Sequence, residues 1–290
     1  MKPAPFKYVA ARSLDEALAL KAEHGDEARF LAGGQSLIPA MNFRLAQPAM
    51  LIDINPLKEL DYIRRAGNVL RIGALARYRA LQRDAAVARH QPLLAETLPH
   101  VAHPQIRNRG TLAGNMAHAD PASELPAVVL ALGGRMHARS GRGERWIDAR
   151  DFFKGALTTA LKSDEMLTEI ELPDLPAKSG AAFLEVSRRR GDYAMMGVAA
   201  VVTLGADGAC IGARLAYCNA GEKQMLAGKA AQALVGRRGA DKYISDAAAL
   251  AESEIDPQGN VHASKKFQRH LAGVLTRRAL QTALARAGAA

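Results

Sequence analysis

The amino-terminal part of the chain contains short apolar runs, separated by polar and breaker residues, that predict strands around one helix. Ser13 is followed three residues later by Glu16, the pattern of a capping box, and apolar positions then recur at helical spacing. We therefore expect a helix that begins after Ser13. Strands are predicted at 7–9, 29–32, 50–54 and 69–74.

The middle of the chain mixes helical periodicity with long polar stretches. Helices are predicted at 78–89 and 92–98, before an irregular stretch at 103–126, an apolar run at 127–132 and a basic, turn-rich segment at 133–145. Residues 165–172 alternate like an edge strand that Pro173 closes. The stretch 173–180 concentrates proline and glycine, and it is the best candidate for a linker between two domains.

The pattern changes after this linker. Strands are predicted at 182–186, 198–204 and 211–217, with a hairpin turn at 205–208 between the last two. Helical periodicity then predicts three helices, near 223–235, 241–254 and 265–287. The last helix places Phe267, Leu271 and Leu275 on one face. The sequence thus predicts two mixed α and β domains that divide near 175–180.

Composition places the chain among ordered globular proteins. Of its 290 residues, 49% are hydrophobic and 23% are charged, which excludes intrinsic disorder. No apolar window is long enough for a membrane span, and the first residues lack the apolar core of a signal peptide. We therefore expect no membrane span and a cytoplasmic location.

The formal charge of +10 first suggests a nucleic acid or an acidic partner. The Lys and Arg residues are scattered, aromatic residues make up only 5%, and no zinc-finger or RNA-recognition motif occurs. A solvated surface or an electrostatic docking face for a protein partner is therefore favoured, and no nucleic acid is expected. A basic nucleic-acid-binding module is the alternative that only the charge supports.

The cysteines and histidines do not predict a metal centre. Cys210 and Cys218 are too few for a disulfide framework or a cluster held by this chain alone, and they fit small buried apolar positions. His100 and His103 could share one helical turn, but no third ligand accompanies them.

Two glycine loops are the strongest chemical signal in the sequence. The chain lacks the Gly-x-Gly-x-x-Gly, phosphate-loop and Gly-x-Ser-x-Gly motifs, so kinase and hydrolase chemistry have no support. The loops occupy 32–37 and 110–115. Glycine allows backbone N–H groups to converge on an anion, and Ser36, Thr111 and Asn115 add side-chain donors. Two such loops folded onto one spot would suit a diphosphate.

The sequence around both loops resembles a known family. Ala32-Gly-Gly-Gln-Ser-Leu-Ile-Pro39, with the strand at 51–54, resembles the first FAD loop of the flavoprotein (medium) subunits of molybdenum hydroxylases, the carbon monoxide dehydrogenase and xanthine dehydrogenase relatives. The segments 106–115 and 120–126 resemble the second loop, and 190–194 resembles the third conserved stretch. Ala113 stands where the family usually has glycine. The likeness runs from Phe6 to the C-terminal helices.

This resemblance implies an α+β fold of two domains. Residues 1–176 would form a two-lobed FAD-binding domain of the vanillyl-alcohol oxidase/PCMH type, with lobes at about 1–56 and 57–176. Residues 177–290 would form a smaller α/β domain, with a three-stranded antiparallel sheet and helices.

The resemblance also implies the cofactor-binding residues. Both loops would wrap the diphosphate and ribityl chain of FAD, Asp120 would meet hydroxyl groups, Glu124 and Leu167 would contact the flavin, and Tyr193 would pack near its rings. The implied loop residues are Ala32, Gly33, Gly34, Gln35, Ser36, Leu37, Thr111, Ala113, Gly114 and Asn115. An FAD-contacting lysine of eukaryotic relatives falls at Leu184, so its role is in doubt for this chain.

Each of these side chains also has an ordinary structural interpretation. Asp120 could start a turn, Glu124 could cap a helix, Leu167 could belong to the core and Tyr193 could be a half-buried aromatic residue. Arg107 and Arg109 could be surface charges or could brace the second loop and a neighbouring subunit. The residues alone leave these alternatives open.

The implied function is electron transfer within a multi-subunit enzyme. In such an assembly a large subunit carries molybdopterin, a small subunit carries two [2Fe–2S] clusters, and this chain passes electrons through FAD to an external acceptor. A dimer of heterotrimers is expected, and no catalytic residue or metal ligand is assigned to this chain. The alternative is a stand-alone flavin reductase or oxidase on the same fold.

Overall fold

A computed structural model describes residues 1–238 and 241–289. The amino-terminal sheet has three parallel strands in the order β1-β3-β2, with β1 at Lys7–Ala10, β2 at Ala28–Leu31 and β3 at Met50–Asp53. Two helices connect these strands, α1 at Leu14–His24 and α2 at Leu37–Asn42. Because the strands are parallel, the segments that follow β2 and β3 leave the sheet at the same edge.

The predicted capping box at the start of α1 is half formed. Ser13 Oγ accepts a hydrogen bond from the backbone N–H of Glu16 at 3.1 Å, as expected. The Glu16 carboxylate instead accepts from the backbone N–H of Arg12, at 2.8 Å, and from the Arg12 guanidinium. The helix therefore begins where the sequence predicted, but the Glu16 side chain bonds to the N–H of the residue before Ser13 and not to that of Ser13 itself.

The second sheet has five antiparallel strands in the order β4-β5-β10-β6-β7. The strands are β4 at Ile63–Ala66, β5 at Val69–Gly73, β6 at Arg135–Ser140, β7 at Gly143–Asp148 and β10 at Met166–Pro173. The basic segment at 133–145, predicted as turn-rich, is therefore largely the β6–β7 hairpin.

The prediction of an edge strand at 165–172 is wrong, because β10 lies at the centre of this sheet between β5 and β6. Its alternating carboxylates suggested exposure to solvent. Glu169 and Glu171 are only 4% and 5% exposed, and their charges are matched by arginines on other strands of the same sheet. These arginines are Arg64, Arg71 and Arg135.

Along the chain, six short helices separate β5 from β6, and a seventh follows β7. They are α3 at Tyr78–Arg83, α4 at Ala85–His90, α5 at Pro92–Thr97, α6 at Pro104–Arg107, α7 at Leu112–His118, α8 at Glu124–Leu132 and α9 at Ala149–Phe152. A small hairpin joins β8 at Phe153–Gly155 to β9 at Thr158–Thr159.

Two expectations for this region need correction. The helix predicted at 78–89 is broken at Asp84, whose side chain accepts from the N–H groups of Ala86 and Val87 and starts α4. The stretch 103–126 is not irregular, because it contains α6, α7 and the start of α8. Its glycines and polar residues hide the helical periodicity, although Thr111 is a regular N-cap of α7.

The carboxyl-terminal sheet is antiparallel, in the order β11-β12-β13-β14. Its strands are β11 at Ser179–Val186, β12 at Met196–Leu204, β13 at Cys210–Cys218 and the two-residue β14 at Met225–Leu226. The helices are α10 at Gly228–Gln232, α11 at Asp241–Glu254 and α12 at Lys265–Ala289. The sheet thus has one strand more than expected, since β14 occupies the start of the helix predicted at 223–235.

Both faces of the carboxyl-terminal sheet are buried, which explains its nearly continuous apolar runs. Phe183, Val201 and Cys218 pack into the core shared with α8 and the amino-terminal sheets. Val198, Leu215 and Tyr217 pack against α11 and α12 on the other face.

Three further sequence expectations concern this part of the chain. Cys210 and Cys218 are free and buried at the two ends of β13. Leu271 and Leu275 are buried in α12, but Phe267 is 43% exposed because it lies in the first turn, beyond the packed face. Within residues 1–238 and 241–289, no helix is long and apolar enough to cross a membrane.

Candidate functional site

The two glycine loops are in backbone contact. A Cβ atom placed on Gly33 would lie 2.6 Å from the carbonyl oxygen of Arg109 and 2.9 Å from Cα of Gly110. Gly110 itself lies against the ring of Tyr78, which leaves no space for a side chain there. Residues about eighty positions apart in the sequence therefore form one continuous surface.

The backbone N–H groups of the first loop have no hydrogen-bond acceptors among the described residues. Gly34 has φ +70°, and this left-handed conformation turns the chain between β2 and α2. In the part of the chain that the structure describes, the N–H groups of residues 33–36 donate to no other protein atom. Gln35 folds back and donates from Nε2 to the Gly33 carbonyl at 3.0 Å. Successive free N–H groups of this kind form an anion-binding concavity.

The polar side chains of the second loop were all expected to donate to a ligand, but the structure shows that they already bond within the protein. Thr111 Oγ1 accepts from the Gly114 N–H at 3.0 Å and caps α7, while its hydroxyl proton remains available. Asn115 donates from Nδ2 to Ser123 Oγ at 2.7 Å. Asn115 Oδ1 is buried and has no partner among the described residues, so the side chain offers an acceptor.

Two polar residues that the sequence analysis did not single out connect the loops. Asn55, just after β3, donates from Nδ2 to the carbonyl oxygens of Leu31 and Ala32, at 3.3 and 3.0 Å. Arg77 donates from Nη2 to Asn55 Oδ1 and from Nη1 to the carbonyl oxygen of Arg109. One guanidinium group thereby links the first loop, through Asn55, to the second. The sequence shows only an Asn-Pro strand terminator and one of many scattered arginines.

Asp120 and Glu124 follow the second loop in the chain, and Tyr193 lies close to both in space. Tyr193 is 57% exposed, but local burial and the neighbouring Asp120 carboxylate raise the pKa of its hydroxyl. Glu124 is 3% exposed at the start of α8, and burial raises its pKa to about 8, with the charge of Glu185 adding to the effect. Asp120 also forms the turn that the sequence allowed, since its Oδ1 accepts from the N–H of Ala122 at 2.9 Å.

A loop of the carboxyl-terminal sheet holds these residues in place. Asn219, with φ +58°, donates its backbone N–H to the Pro121 carbonyl at 2.7 Å and its Nδ2 group to the carbonyls of Ala194 and Met195. Gln224 Nε2 donates to the carbonyl of Asp120 at 2.5 Å. Neither residue stood out in the sequence, because a single asparagine gives no signal of a left-handed backbone.

The other residues that the sequence analysis considered lie in the core, beneath helices or at the surface. Ala113 and Leu167 are buried in the core, at 3% and 5% exposure. Leu184 packs beneath α11 and α12, on the opposite face of β11 from Phe183. Arg107 braces the approach to the second loop by donating to the carbonyls of Val101 and Ala102. The Arg109 side chain is exposed.

The histidine pair has other partners than a metal. His100 Nδ1 lies 3.1 Å from Glu185 Oε1, and this contact raises the pKa of His100. His103 packs beside Gly191. Within the described ranges, no three His, Cys, Asp or Glu side chains are grouped as metal ligands.

Comparison with known proteins decides the family. Residues 4–175 match the family model of the FAD binding domain in molybdopterin dehydrogenase, and residues 181–283 match the CO dehydrogenase flavoprotein C-terminal domain. The chain belongs to the FAD-binding molybdopterin dehydrogenase family. It is an oxidoreductase flavoprotein subunit of the molybdenum hydroxylase type, and its cofactor is FAD.

Members of this family match along nearly the whole chain. The 6-hydroxypseudooxynicotine dehydrogenase complex subunit alpha of Paenarthrobacter nicotinovorans is 40% identical, covering 99% of this chain and 97% of the relative. The carbon monoxide dehydrogenase medium chain of Afipia carboxidovorans is 37% identical, with 99% of both chains covered. A solved carbon monoxide dehydrogenase from Hydrogenophaga pseudoflava superposes with a TM-score of 0.96 at 36% identity, with 99% of each chain covered.

The site residues have the chemistry that an FAD of this family requires. A diphosphate needs backbone donors at close approach, and the free N–H groups of residues 33–36 supply them. A ribityl or ribose hydroxyl needs an acceptor, and the buried Asn115 Oδ1 is one without a partner among the described residues. The donor and acceptor set therefore fits the cofactor.

Proposed function

We propose that this chain binds FAD non-covalently across the two joined glycine loops, and that it passes electrons from [2Fe–2S] clusters of a partner to an external acceptor. The observation that carries the proposal is the backbone contact between Gly33 and Arg109–Gly110, beside four successive N–H groups that donate to no atom of the described residues. This arrangement joins both loops into one surface suited to an anionic, hydroxyl-rich ligand.

The loop residues contact the diphosphate and ribityl chain in this proposal, and Asp120, Glu124, Leu167 and Tyr193 flank the remainder of the cofactor. The loop contacts are Ala32, Gly33, Gly34, Gln35, Ser36, Leu37, Thr111, Ala113, Gly114 and Asn115. Support comes from the link between Asn115 and Ser123, which joins the second loop to the Asp120–Glu124 segment. The proximity of Tyr193 to Asp120 supports the placement of the third stretch.

When bound, the flavin would supply conversion between the single electrons that iron–sulfur clusters deliver and the electron pairs that two-electron acceptors take. The work of this chain is to bind and orient that group and to control access to it. Tyr193 is exposed beside Asp120 and therefore stands where an acceptor approaches. No acid–base step at an organic substrate is assigned to this chain, so its residues have positioning and electrostatic roles.

The domain division is part of the same proposal. Residues 1–176 form the FAD-binding domain of PCMH type, with lobes at about 1–56 and 57–176, and 177–290 form the carboxyl-terminal domain. The parallel sheet within 7–53 and the antiparallel sheet within 63–173 support the two lobes. The two family models, which end at 175 and begin at 181, support the boundary.

The partners follow from the relatives, whose names describe them as medium chains or subunits of complexes. We assign this chain a large molybdopterin-carrying subunit and a small [2Fe–2S] subunit, assembled as a dimer of heterotrimers in the cytoplasm. The basic surface provides the electrostatic part of docking to these subunits.

Purification of the chain, alone and co-expressed with adjacent open reading frames, tests this function. We expect one FAD per chain, released by acid precipitation, and a salt-sensitive complex whose other subunits contain molybdopterin and iron. A protein that cannot be reconstituted with FAD would overturn the proposal. Turnover by the chain without partners would instead support a stand-alone flavoenzyme.

A further inference from the structure

Arg77 occupies an unusual position between the two glycine loops. It lies in the turn that leads from β5 to α3, and it forms an isolated antiparallel bridge with Thr111 of the second loop. Its neighbour Tyr78 donates a backbone hydrogen bond to the Gly110 carbonyl at 3.0 Å. Backbone contacts alone therefore attach the segment around Arg77 to the second loop.

The side chain reaches both loops. Its Nη1 group donates to the Arg109 carbonyl, the oxygen that Gly33 approaches, and its Nη2 group donates to Asn55 Oδ1. Asn55 in turn donates to the carbonyls of Leu31 and Ala32, directly before the first loop. Burial lowers the pKa of the Arg77 guanidinium, and the positive charge of Arg109 adds to that effect.

We propose that Arg77, acting through Asn55, is the positioning residue that holds the two glycine loops at the spacing needed for FAD. Arginine suits this role because its planar fork presents two donors in fixed directions. Lysine has a single ammonium group and cannot reproduce the fork. The inference rests on the proposed function, because it concerns residues that contact no ligand and act only through the loops.

The FAD dissociation constant of the purified chain tests this role, measured by titrating the FAD-free protein with FAD. Arg77→Gln and Asn55→Ala should each weaken binding by about tenfold or more, because each breaks a charge-assisted link in one chain of contacts. The double variant should be no weaker than the worse single variant, since either change opens the same connection. Arg77→Lys should stay weakened although it keeps the charge.

Arg65→Gln is the matched control. Arg65 also uses both terminal nitrogens, to bind Asp174 at 2.5 and 2.8 Å, but this pair lies between β4 and the end of β10. The control should leave FAD affinity within about twofold of wild type. Amide hydrogen exchange of the FAD-free protein provides a second measurement. Exchange should accelerate in Arg77→Gln at Ile38 and Ala40, whose N–H groups donate to carbonyls of the first loop, and in 110–115, and it should be unchanged in α12.

Each outcome bears on one claim. If the wild-type protein binds no FAD, the proposed function is wrong. Wild-type binding with unaltered affinity in Arg77→Gln, full restoration by Arg77→Lys, or additive effects in the double variant overturns the positioning role alone. If Arg77→Gln does not fold, Asn55→Ala and Arg77→Lys are judged by the same affinity and exchange criteria.

Discussion

Gly33 approaches the carbonyl oxygen of Arg109 so closely that a Cβ atom at position 33 would lie 2.6 Å from it. Both partners are backbone, so neither can move aside as a flexible side chain would. The contact sets the distance between the two loops, and it makes glycine a packing requirement at this position as well as a feature of ligand approach.

Gly33→Ala should therefore push the loops apart. We expect a loss of about 1–3 kcal/mol in the free energy of unfolding of the FAD-free protein, as for other overpacked sites. FAD affinity should fall at the same time. Urea unfolding and FAD titration measure the two effects. Gly141→Ala, in the β6–β7 turn where a Cβ meets nothing within 4 Å, should change neither quantity.

Gly114→Ala should weaken FAD binding for a reason other than occupation of the ligand's path. The structure places the new Cβ 2.8 Å from Thr111 Oγ1, the atom that caps α7. Loss of the cap costs about 1 kcal/mol of stability and displaces the Thr111 hydroxyl. Thr111→Val, which lacks the capping oxygen, should reproduce the same loss of stability in thermal unfolding. A stable Gly114→Ala protein with normal affinity would contradict this explanation.

The sequence predicted the loops but not the parts that hold them. Gly33, Gly34 and Gly110 could be recognised because glycine clusters after a strand have a local meaning. Asn55 and Arg77 could not, because their role depends on contacts between segments that only the fold brings together.

Strand β10 also shows that a local sequence pattern does not reveal contacts between remote segments. Its charged residues alternate with apolar ones, a pattern typical of a strand with one face in solvent. Glu169 and Glu171 are nevertheless buried, because arginines from three different strands neutralise them. Pairing between remote strands overrode the local pattern, and one sequence carries no record of that pairing.

Asn219 should be the residue that sets the Tyr193 segment relative to the Asp120 turn. Asn219→Ala strains the backbone at φ +58° and removes the donors to Ala194 and Met195, whereas Asn219→Gly relieves the strain but still lacks the donors. Both variants should show faster amide exchange at 193–196. Only Asn219→Ala should also lose about 1 kcal/mol from backbone strain. Equal stability of the two variants would exclude a contribution from the left-handed conformation.

Glu124 should make the stability of the FAD-free protein fall as pH rises. Burial raises its pKa in the folded state from 4.5 to about 8, with Glu185 and Asp120 adding to the effect and its own backbone N–H and His100 opposing it. Between these two values the folded state keeps a proton that the unfolded state has released, so stability decreases through this window. Below pH 4.5 both states are protonated and there is no penalty.

Glu124→Gln removes this dependence, because the amide stays neutral at every pH. The variant should gain stability relative to wild type between pH 5 and pH 8, by about 2–4 kcal/mol, since one pKa unit corresponds to about 1.4 kcal/mol. Urea unfolding at pH 5, 6.5 and 8 measures the difference. Glu23→Gln, on the exposed surface of α1, should keep the wild-type pH profile. Parallel profiles for Glu124→Gln and wild type would show that the Glu124 carboxyl ionises in the folded protein as it does in the unfolded chain.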